Sequence, residues 1–147
     1  MNDKNITFNI FENEIKNLIG LSLCHMDPYY QKIDLHFGRY RKNKDGLESG
    51  DFILYISGFW EVLNSGLVVL SENNSQEEII EFFTKLVGEA ITSVMFFKDS
   101  SEVFLKLTNG YYFHFMKQDS RWIELLKRNG ELFYSKNGEQ YLHRNPK

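Results

Sequence analysis

Residues 102–116 read EVFLKLTNGYYFHFM, in which the turn sequence Thr-Asn-Gly at 108–110 separates two dense apolar runs. Apolar runs around an Asn-Gly pair are typical of a β-hairpin. A two-residue turn would mix apolar and polar side chains on both faces, whereas a three-residue loop with a left-handed Gly110 at a bulge pairs Leu105 with Phe113. One face is then wholly apolar. Since a slip of one residue moves every side chain to the opposite face, we expect the three-residue register.

The second face of this hairpin is mixed in character. The expected register leaves on it Phe104, Lys106, Tyr112, His114 and Met116. Because this face is half apolar, we expect another element to cover part of it. A helix over this face would enclose a small-molecule pocket lined by Tyr112, His114 and Met116, and a small-molecule-binding domain is one of the functions that the sequence leaves open.

Two amphipathic helices are predicted by capping residues and by apolar spacing. Asn9 is a candidate N-cap for the first helix, which we expect to end at Gly20. The second helix begins at Ser75, where Glu78 completes a Ser-x-x-Glu capping box, and it stops at Gly88. The predicted buried stripes are Phe8, Phe11, Ile15, Leu18 and Ile19 for the first helix, and Ile79, Phe83, Leu86 and Val87 for the second.

Most of the remaining chain consists of β-branched or aromatic runs separated by polar turns. These runs cover residues 21–26, 31–41, 52–63, 67–70, 90–97, 103–107, 111–117, 122–127 and 132–135. Short Asn-Gly connections indicate antiparallel hairpins, and Gly58 inside the apolar run 52–63 indicates a bulge or a close approach by another backbone. We predict one α+β domain over residues 1–147, a twisted antiparallel sheet of about 7 to 9 strands packed with the two helices.

Composition limits the classes of protein that the chain can belong to. With 147 residues and 42% hydrophobic content, it can bury a substantial core. No apolar run is long enough to span a bilayer and the first residues are polar, which predicts a cytoplasmic protein. One cysteine, Cys24, excludes an internal disulfide and a cysteine-based zinc site. The four histidines have no metal-ligand spacing, so we expect neither a metal nor another cofactor.

Candidate catalytic residues are few. Cys24 and His25 are adjacent, so on a strand they point to opposite faces and cannot form a thiolate–imidazole pair. Asp34 and His36 share a face, but the alternation of the strand puts that face in solvent, where a surface pair is the expected interpretation. His114 lies among core aromatics and is interpreted as a satisfied structural histidine. No catalytic residue is therefore predicted, and an enzyme with a dispersed site is kept as an alternative.

Charge is unevenly spread along a chain whose net charge is −3. Residues 71–102 carry seven acids against two bases, a net charge of −5, and Glu77, Glu78 and Glu81 begin the second helix. One interpretation is ordinary solvated surface. The other is that these acids attract a basic protein partner.

The connection 38–51 contains a basic cluster formed by Arg39, Arg41, Lys42 and Lys44. A phosphate or nucleic-acid site requires more than such a cluster, and no Gly-rich phosphate loop follows a strand and opens a helix. We expect a solvated hairpin tip here and no nucleic-acid partner.

Aromatic content of 16% exceeds what a minimal core needs. Tyr and Trp anchor interfaces because they bury much area at low rotamer cost. Trp60 and Trp122 are interpreted as core residues, whereas Tyr29 and Tyr30, which follow Pro28, are candidate partner-binding residues.

The order of several motifs resembles that of a group of small bacterial α+β proteins. The motifs are Phe-Trp-Glu-Val at 59–62, Leu-Val-Val-Leu-Ser at 67–71, Ile-Thr-Ser-Val at 91–94, the Asn-Gly hairpin at 109–110 and Arg-Trp-Ile-Glu-Leu at 121–125. The resemblance covers roughly residues 18–126. Some proteins of this kind are immunity proteins, which bind and neutralise a cognate toxin in polymorphic-toxin or contact-dependent inhibition systems.

The resemblance implies a non-enzymatic binding protein, and an immunity protein in particular. Aromatic anchors would supply buried area, and the acids would complement a basic toxin surface. The candidate partner-binding residues are Tyr29, Tyr30, Glu77, Glu78, Glu81, Tyr112 and His114. The sequence leaves open whether the chain also forms a homodimer.

Overall fold

The structure, a computed structural model, describes residues 3–4, 10–29, 32–97, 100, 102–116, 123–136 and 139–144. Within these residues antiparallel strands and two α-helices form the predicted α+β fold. The helices are α1 (Ile10–Ile15), which continues as a 3₁₀ turn (Lys16–Leu18), and α2 (Gln76–Leu86). The first strands are β1 (Asp3–Lys4), β2 (Leu23–Tyr29), β3 (Lys32–Phe37), β4 (Arg41–Lys42), β5 (Glu48–Ser49), β6 (Phe52–Ser57) and β7 (Phe59–Asn64). The later strands are β8 (Leu67–Ser71), β9 (Ile91–Phe97), β10 (Glu102–Leu107), β11 (Tyr112–Met116), β12 (Ile123–Lys127), β13 (Glu131–Lys136) and β14 (Glu139–Arg144).

The described strands divide between two larger sheets. A seven-stranded sheet has the order β1-β14-β13-β12-β6-β3-β2, a five-stranded sheet has the order β8-β7-β11-β10-β9, and β4 pairs with β5 in a small hairpin. Gly58, at φ +143°, interrupts the long apolar run between the two larger sheets. This conformation strongly favours glycine. The prediction of one strand over residues 52–63 is wrong, because Gly58 is the point at which the chain leaves one sheet as β6 and enters the other as β7.

The hairpin of β10 and β11 has the predicted three-residue register. Leu105 lies opposite Phe113, and the N–H of Gly110 donates to the carbonyl oxygen of Leu107 at 2.9 Å. Gly110 has φ +89°, which is the left-handed conformation expected at the bulge. The residues that share the face of Leu105 on these two strands are at most 1% exposed, so the apolar face is buried as expected.

Helix α2 begins as predicted and ends earlier than its apolar stripe suggests. The hydroxyl of Ser75 accepts from the N–H of Glu78, and the carboxylate of Glu78 accepts from the N–H of Ser75, which completes the capping box. Val87 was expected on the buried stripe, but it is the extended C-cap and is 47% exposed. No helix among the described residues is long and apolar enough to cross a membrane.

The first helix is shorter than predicted. Its α-helical part stops at Ile15, and a 3₁₀ turn carries the chain to Leu18. Phe11, Ile15 and Leu18 are fully buried as expected, whereas Ile19 is extended and 47% exposed, so its predicted burial is wrong. The predicted N-cap Asn9 and stripe residue Phe8 lie outside the described residues.

A single core joins the inner faces of both larger sheets with both helices. Phe83 of α2 has its ring centroid 5.5 Å from Phe113 and 5.9 Å from Trp60, so α2 covers the inner face of the five-stranded sheet. Trp60, at 3% exposure, is a core residue as predicted, while Trp122 lies outside the described residues. Because helix α2 packs on the inner face, the face that carries His114 is on the other side of the sheet.

Candidate functional site

The outer face of the seven-stranded sheet carries a row of polar side chains. Asp27 on β2 lies opposite Asp34 on β3, Asp34 lies opposite Tyr55 on β6, and Tyr55 lies opposite Glu124 on β12. Successive side chains of a strand point to opposite faces, and the residues between these positions belong to the buried core. The sheet therefore sets three carboxyl groups and a phenol side by side on its outer face.

Asp27 is the centre of a hydrogen-bond network with two histidines. Its Oδ1 lies 2.8 Å from Nε2 of His25, and its Oδ2 lies 3.3 Å from Nε2 of His36. The ring of Tyr40 stacks on His25 at 4.5 Å and meets His36 edge-on at 5.5 Å, measured between centroids. One carboxylate thus orients both imidazoles, and a tyrosine ring packs against them.

A β-bulge at Cys24 makes this network geometrically possible. Leu23 pairs with Phe37 while His25 pairs with His36, so Cys24 is the extra residue of β2. Without the bulge, Leu23 and His25 would share a face, because they are two residues apart. The thiol of Cys24 donates to the carbonyl oxygen of His36 at 3.4 Å.

His36 was expected in solvent, and that expectation is wrong, because its side chain is 5% exposed. The backbone N–H of Gly50 donates to Nδ1 of His36 at 3.1 Å. Nδ1 is therefore the acceptor, and the ring proton lies on Nε2, where it is donated to Asp27. Burial lowers the pKa of His36 and the nearby charge of His25 lowers it further, while Asp27 acts in the opposite direction. Loop residues that follow β3 in the chain cover the ring, which strand alternation alone does not reveal.

Asp34 differs from Asp27 in having no hydrogen-bond or ion-pair partner in the described part of the chain. No hydrogen bond or ion pair joins its partly buried carboxylate to another described residue. Burial raises the pKa of Asp34 to about 6, the charge of Asp27 raises it as well, and Lys32 partly offsets both effects. Burial together with the charges of Asp34 and Glu124 raises the pKa of Tyr55 to about 12. The charges of Asp27 and Asp34 therefore give this part of the face a negative potential, which Lys32 offsets in part.

Tyr29, a predicted partner-binding residue, borders this region. Its side chain is 56% exposed, and the charge of Asp34 is the largest cause of a raised Tyr29 pKa. The side-chain amide of Gln76 donates to the carbonyl oxygen of Pro28 at 3.1 Å, which fixes the first turn of α2 beside the end of β2. The structure thus brings Tyr29, Asp34 and the start of α2 together. Tyr30 lies outside the described residues.

The three predicted acids of α2 have different roles. Glu77 and Glu81 are exposed on α2. Glu78 is also exposed, but its carboxylate accepts from the N–H of Ser75, and that bond lowers the Glu78 pKa. Glu78 therefore has a structural role at the helix start, and Glu77 and Glu81 are the acids of this turn with outward-directed charge.

His114 and Tyr112 lie on a separate surface, the outer face of the five-stranded sheet. His114 is 7% exposed, with Nδ1 2.8 Å from a carboxylate oxygen of Glu61 and Nε2 2.9 Å from one of Glu102. Its ring is stacked on Phe104 with the centroids 4.0 Å apart. The bond to His114 is the largest cause of a lowered Glu102 pKa. The interpretation of His114 as a satisfied structural histidine is confirmed, and its role in partner binding stays a prediction.

The sequence predicted that another element covers part of this outer face, and a helix was the candidate. In the structure α2 packs on the opposite face of the sheet. Lys106 lies 5.7 Å from the ring centroid of Tyr112, which gives Tyr112 a cation–π partner within the sheet. Phe59, Met95 and Phe97 are between 37% and 49% exposed on or beside the same sheet. Helix α2 does not cover this face, since its aromatic contacts are with Trp60 and Phe113 on the other side.

The predicted basic cluster forms the β4–β5 hairpin, which is tied to the sheet by Arg128. Arg41 lies 3.1 Å from Asp51, and Arg128 contacts Asp51, Asn43 and the carbonyl oxygen of Ser49. Burial alone would raise the Asp51 pKa, but the bonds from Arg39 N–H and Arg128 lower it overall. Part of the basic charge is therefore neutralised locally.

Among the described residues, no group of three or more His, Cys, Asp or Glu side chains could hold a metal ion. The His25, Asp27 and His36 network illustrates why. A metal on Nε2 of His36 would require the ring proton to move to Nδ1, which already accepts from Gly50.

Comparisons with protein-family models, with curated proteins and with solved structures find no match to this chain.

Proposed function

We propose that this chain is a non-enzymatic binding protein that captures a basic protein partner, and that the partner is a bacterial toxin domain, as it is for an immunity protein. The binding surface would comprise the outer face around Asp34, the exposed Tyr29 and the first turns of α2. The observation that carries the proposal is Asp34, a partly buried carboxylate without a partner among the described residues.

An arginine or lysine side chain from a partner would complete the Asp34 site. Removing a carboxylate from water is unfavourable, and the adjacent Asp27 adds repulsion. A bound cation offsets both effects, and a guanidinium is the better fit because it can donate two parallel hydrogen bonds to one carboxylate. In the free protein the ionised Asp34 would therefore be unfavourable. A bound cation would remove this cost, and the free energy gained would strengthen binding.

Tyr29 and the helix acids would supply the rest of the interface. Tyr29 is 56% exposed, and a tyrosine buries a large area while few torsion angles are fixed. Glu77 and Glu81 stand on the turns of α2 that Gln76 fixes next to β2. Their charge would steer a basic partner and accelerate association, with a strong dependence on salt.

Co-expression with the product of the adjacent gene tests the function. We expect that product to arrest bacterial growth alone, and we expect this chain to restore growth and to co-purify with it. If no neighbouring product is toxic, or if a toxic one fails to co-purify, the proposed function is wrong.

Substitutions test the surface separately from the function. Asp34→Asn and Tyr29→Ala should weaken protection and co-purification. Asp45→Asn is the matched control, because Asp45 is exposed on the β4–β5 hairpin, its substitution changes the net charge equally, and an amide oxygen can still accept from Leu47 N–H. Protection that is equal in all three variants would show that the partner binds elsewhere.

A further inference from the structure

We propose that the β4–β5 hairpin is fastened to the seven-stranded sheet by a proton-sensitive latch, the hydrogen bond from the N–H of Gly50 to Nδ1 of His36. This device goes beyond partner binding. It would loosen the end of the hairpin when the imidazole takes a second proton, while the sheet itself stays folded.

The hydrogen bonds of His36 fit one protonation state. A neutral imidazole has one donor and one acceptor, and both are used here: Nε2 faces Asp27 at 3.3 Å and Nδ1 accepts from Gly50 at 3.1 Å. A proton added to Nδ1 would oppose the N–H of Gly50 with a second donor. The ring is 5% exposed, so water cannot replace the lost acceptor unless the backbone moves.

Close packing of Gly50 determines how that conflict is relieved. A Cβ atom on Gly50 would lie 2.8 Å from the carbonyl oxygen of Phe37 and 3.0 Å from Cβ of His36, so the backbone is already pressed against β3. It cannot move inward. Relief therefore requires the segment at Gly50 to move outward, away from the sheet, while Arg128 keeps its bond to the carbonyl oxygen of Ser49 at 2.7 Å.

The groups around His36 set the direction of its titration. Strand β2 contributes His25, Asp27 and the Cys24 thiol. Strand β3 contributes Asp34, and the loop that follows it contributes Tyr40. The residue of β6 that faces His36 is the apolar Ile53. Burial and His25 lower the pKa of His36 from its ordinary value, and Asp27 opposes them. The latch would accordingly be closed at neutral pH and would open as the pH falls below the ordinary histidine pKa.

Amide hydrogen exchange of the full chain, followed by NMR between about pH 7.5 and pH 5, tests the latch at Gly50 itself. After correction for the intrinsic exchange rate, we expect the protection of the Gly50 amide to fall by roughly tenfold on acidification, the size expected for one lost hydrogen bond at a buried site. The amide of Leu105 in the five-stranded sheet is the internal reference, and its protection should not change comparably.

The matched variant is His36→Asn. An asparagine Oδ1 atom can take the place of Nδ1 and accept from Gly50, but it cannot be protonated, so Gly50 protection should be independent of pH. His25→Asn keeps His36, and should keep the acid-induced loss. Constant Gly50 protection in the wild type, or an equal loss in His36→Asn, would overturn the proposal.

Nitrogen chemical shifts of the wild-type His36 ring give a second test that needs no variant. We expect a protonated Nε2 and an unprotonated Nδ1 at neutral pH. A protonated Nδ1 at neutral pH would overturn the proposal even if His36→Asn failed to fold.

Discussion

Replacing Asp34 with asparagine should stabilise the free protein at neutral pH. The folded environment raises the Asp34 pKa from 3.8 to about 6, so the folded state binds this proton more tightly than the unfolded state does. The associated stability is fully present below the unfolded pKa and is lost as pH rises through the folded pKa. At neutral pH the ionised Asp34 therefore costs free energy that a neutral asparagine avoids.

The size of the effect follows from the pKa change. A shift of about two units corresponds to roughly 3 kcal/mol, and because the side chain is only partly buried we reduce this to about 1–2 kcal/mol. We expect the free energy of unfolding of Asp34→Asn to exceed that of the wild type by this amount at about pH 7.5, and the difference to vanish near pH 4.

Urea unfolding followed by circular dichroism at the two pH values measures the difference. Asp27→Asn is the opposing control, because its carboxylate accepts from both His25 and His36, and we expect it to destabilise the protein at neutral pH. If Asp34→Asn is less stable than the wild type at neutral pH, the ionised Asp34 does not cost stability. The same conclusion follows if its gain in free energy of unfolding is equal at both pH values.

Substitutions at three further positions probe the structural roles described above. Gly50→Ala should destabilise the protein by about 1–3 kcal/mol in urea unfolding, because its Cβ would lie 2.8 Å from the carbonyl oxygen of Phe37; an unchanged midpoint would contradict the packing. Ser75→Ala should cost about 1 kcal/mol by removing the cap of α2, whereas Ser75→Asp should keep most of the stabilisation that the cap provides. Glu102→Gln should lower the stability at neutral pH. Because the folded pKa of Glu102 is lowered, this loss should persist until the pH falls through that lowered folded pKa and should disappear below it; unfolding curves at neutral pH and at strongly acidic pH give the sign.

Local patterns predicted the elements whose causes lie in adjacent residues. The register of the β10–β11 hairpin follows from face segregation and from the left-handed Gly110, and the start of α2 follows from the box of Ser75 and Glu78. Apolar spacing alone gave the wrong environment for Val87. Its spacing fits the buried stripe, but the helix has already ended there and the side chain is 47% exposed.

The candidate site depends on contacts that no local pattern contains. His36 alternates with core residues on β3, so alternation places it outward, and its burial comes from Tyr40 and Gly50 of the following connection. His25 joins the same face because of a bulge at Cys24, which has no distinctive sequence signal. The approach of Asp34 to Asp27 depends on the pairing of β2 with β3, and this register could have been proposed from sequence only if the bulge had been known.

The proposed function requires that Asp34, which has no hydrogen-bond or ion-pair partner among the described residues, stays ionisable so that a basic partner can bind it. Isothermal titration calorimetry with the toxic product of the adjacent gene, at moderate salt and neutral pH, tests it most directly with the wild type, Asp34→Asn and Asp45→Asn. We expect Asp34→Asn to bind at least about thirtyfold more weakly than the wild type. This corresponds to a loss of roughly 2 kcal/mol, which is expected when one partner of a buried charge pair is removed. The weaker binding should occur even though Asp34→Asn is the more stable protein. We expect Asp45→Asn to bind as the wild type does. Equal affinities for Asp34→Asn and the wild type would contradict the account.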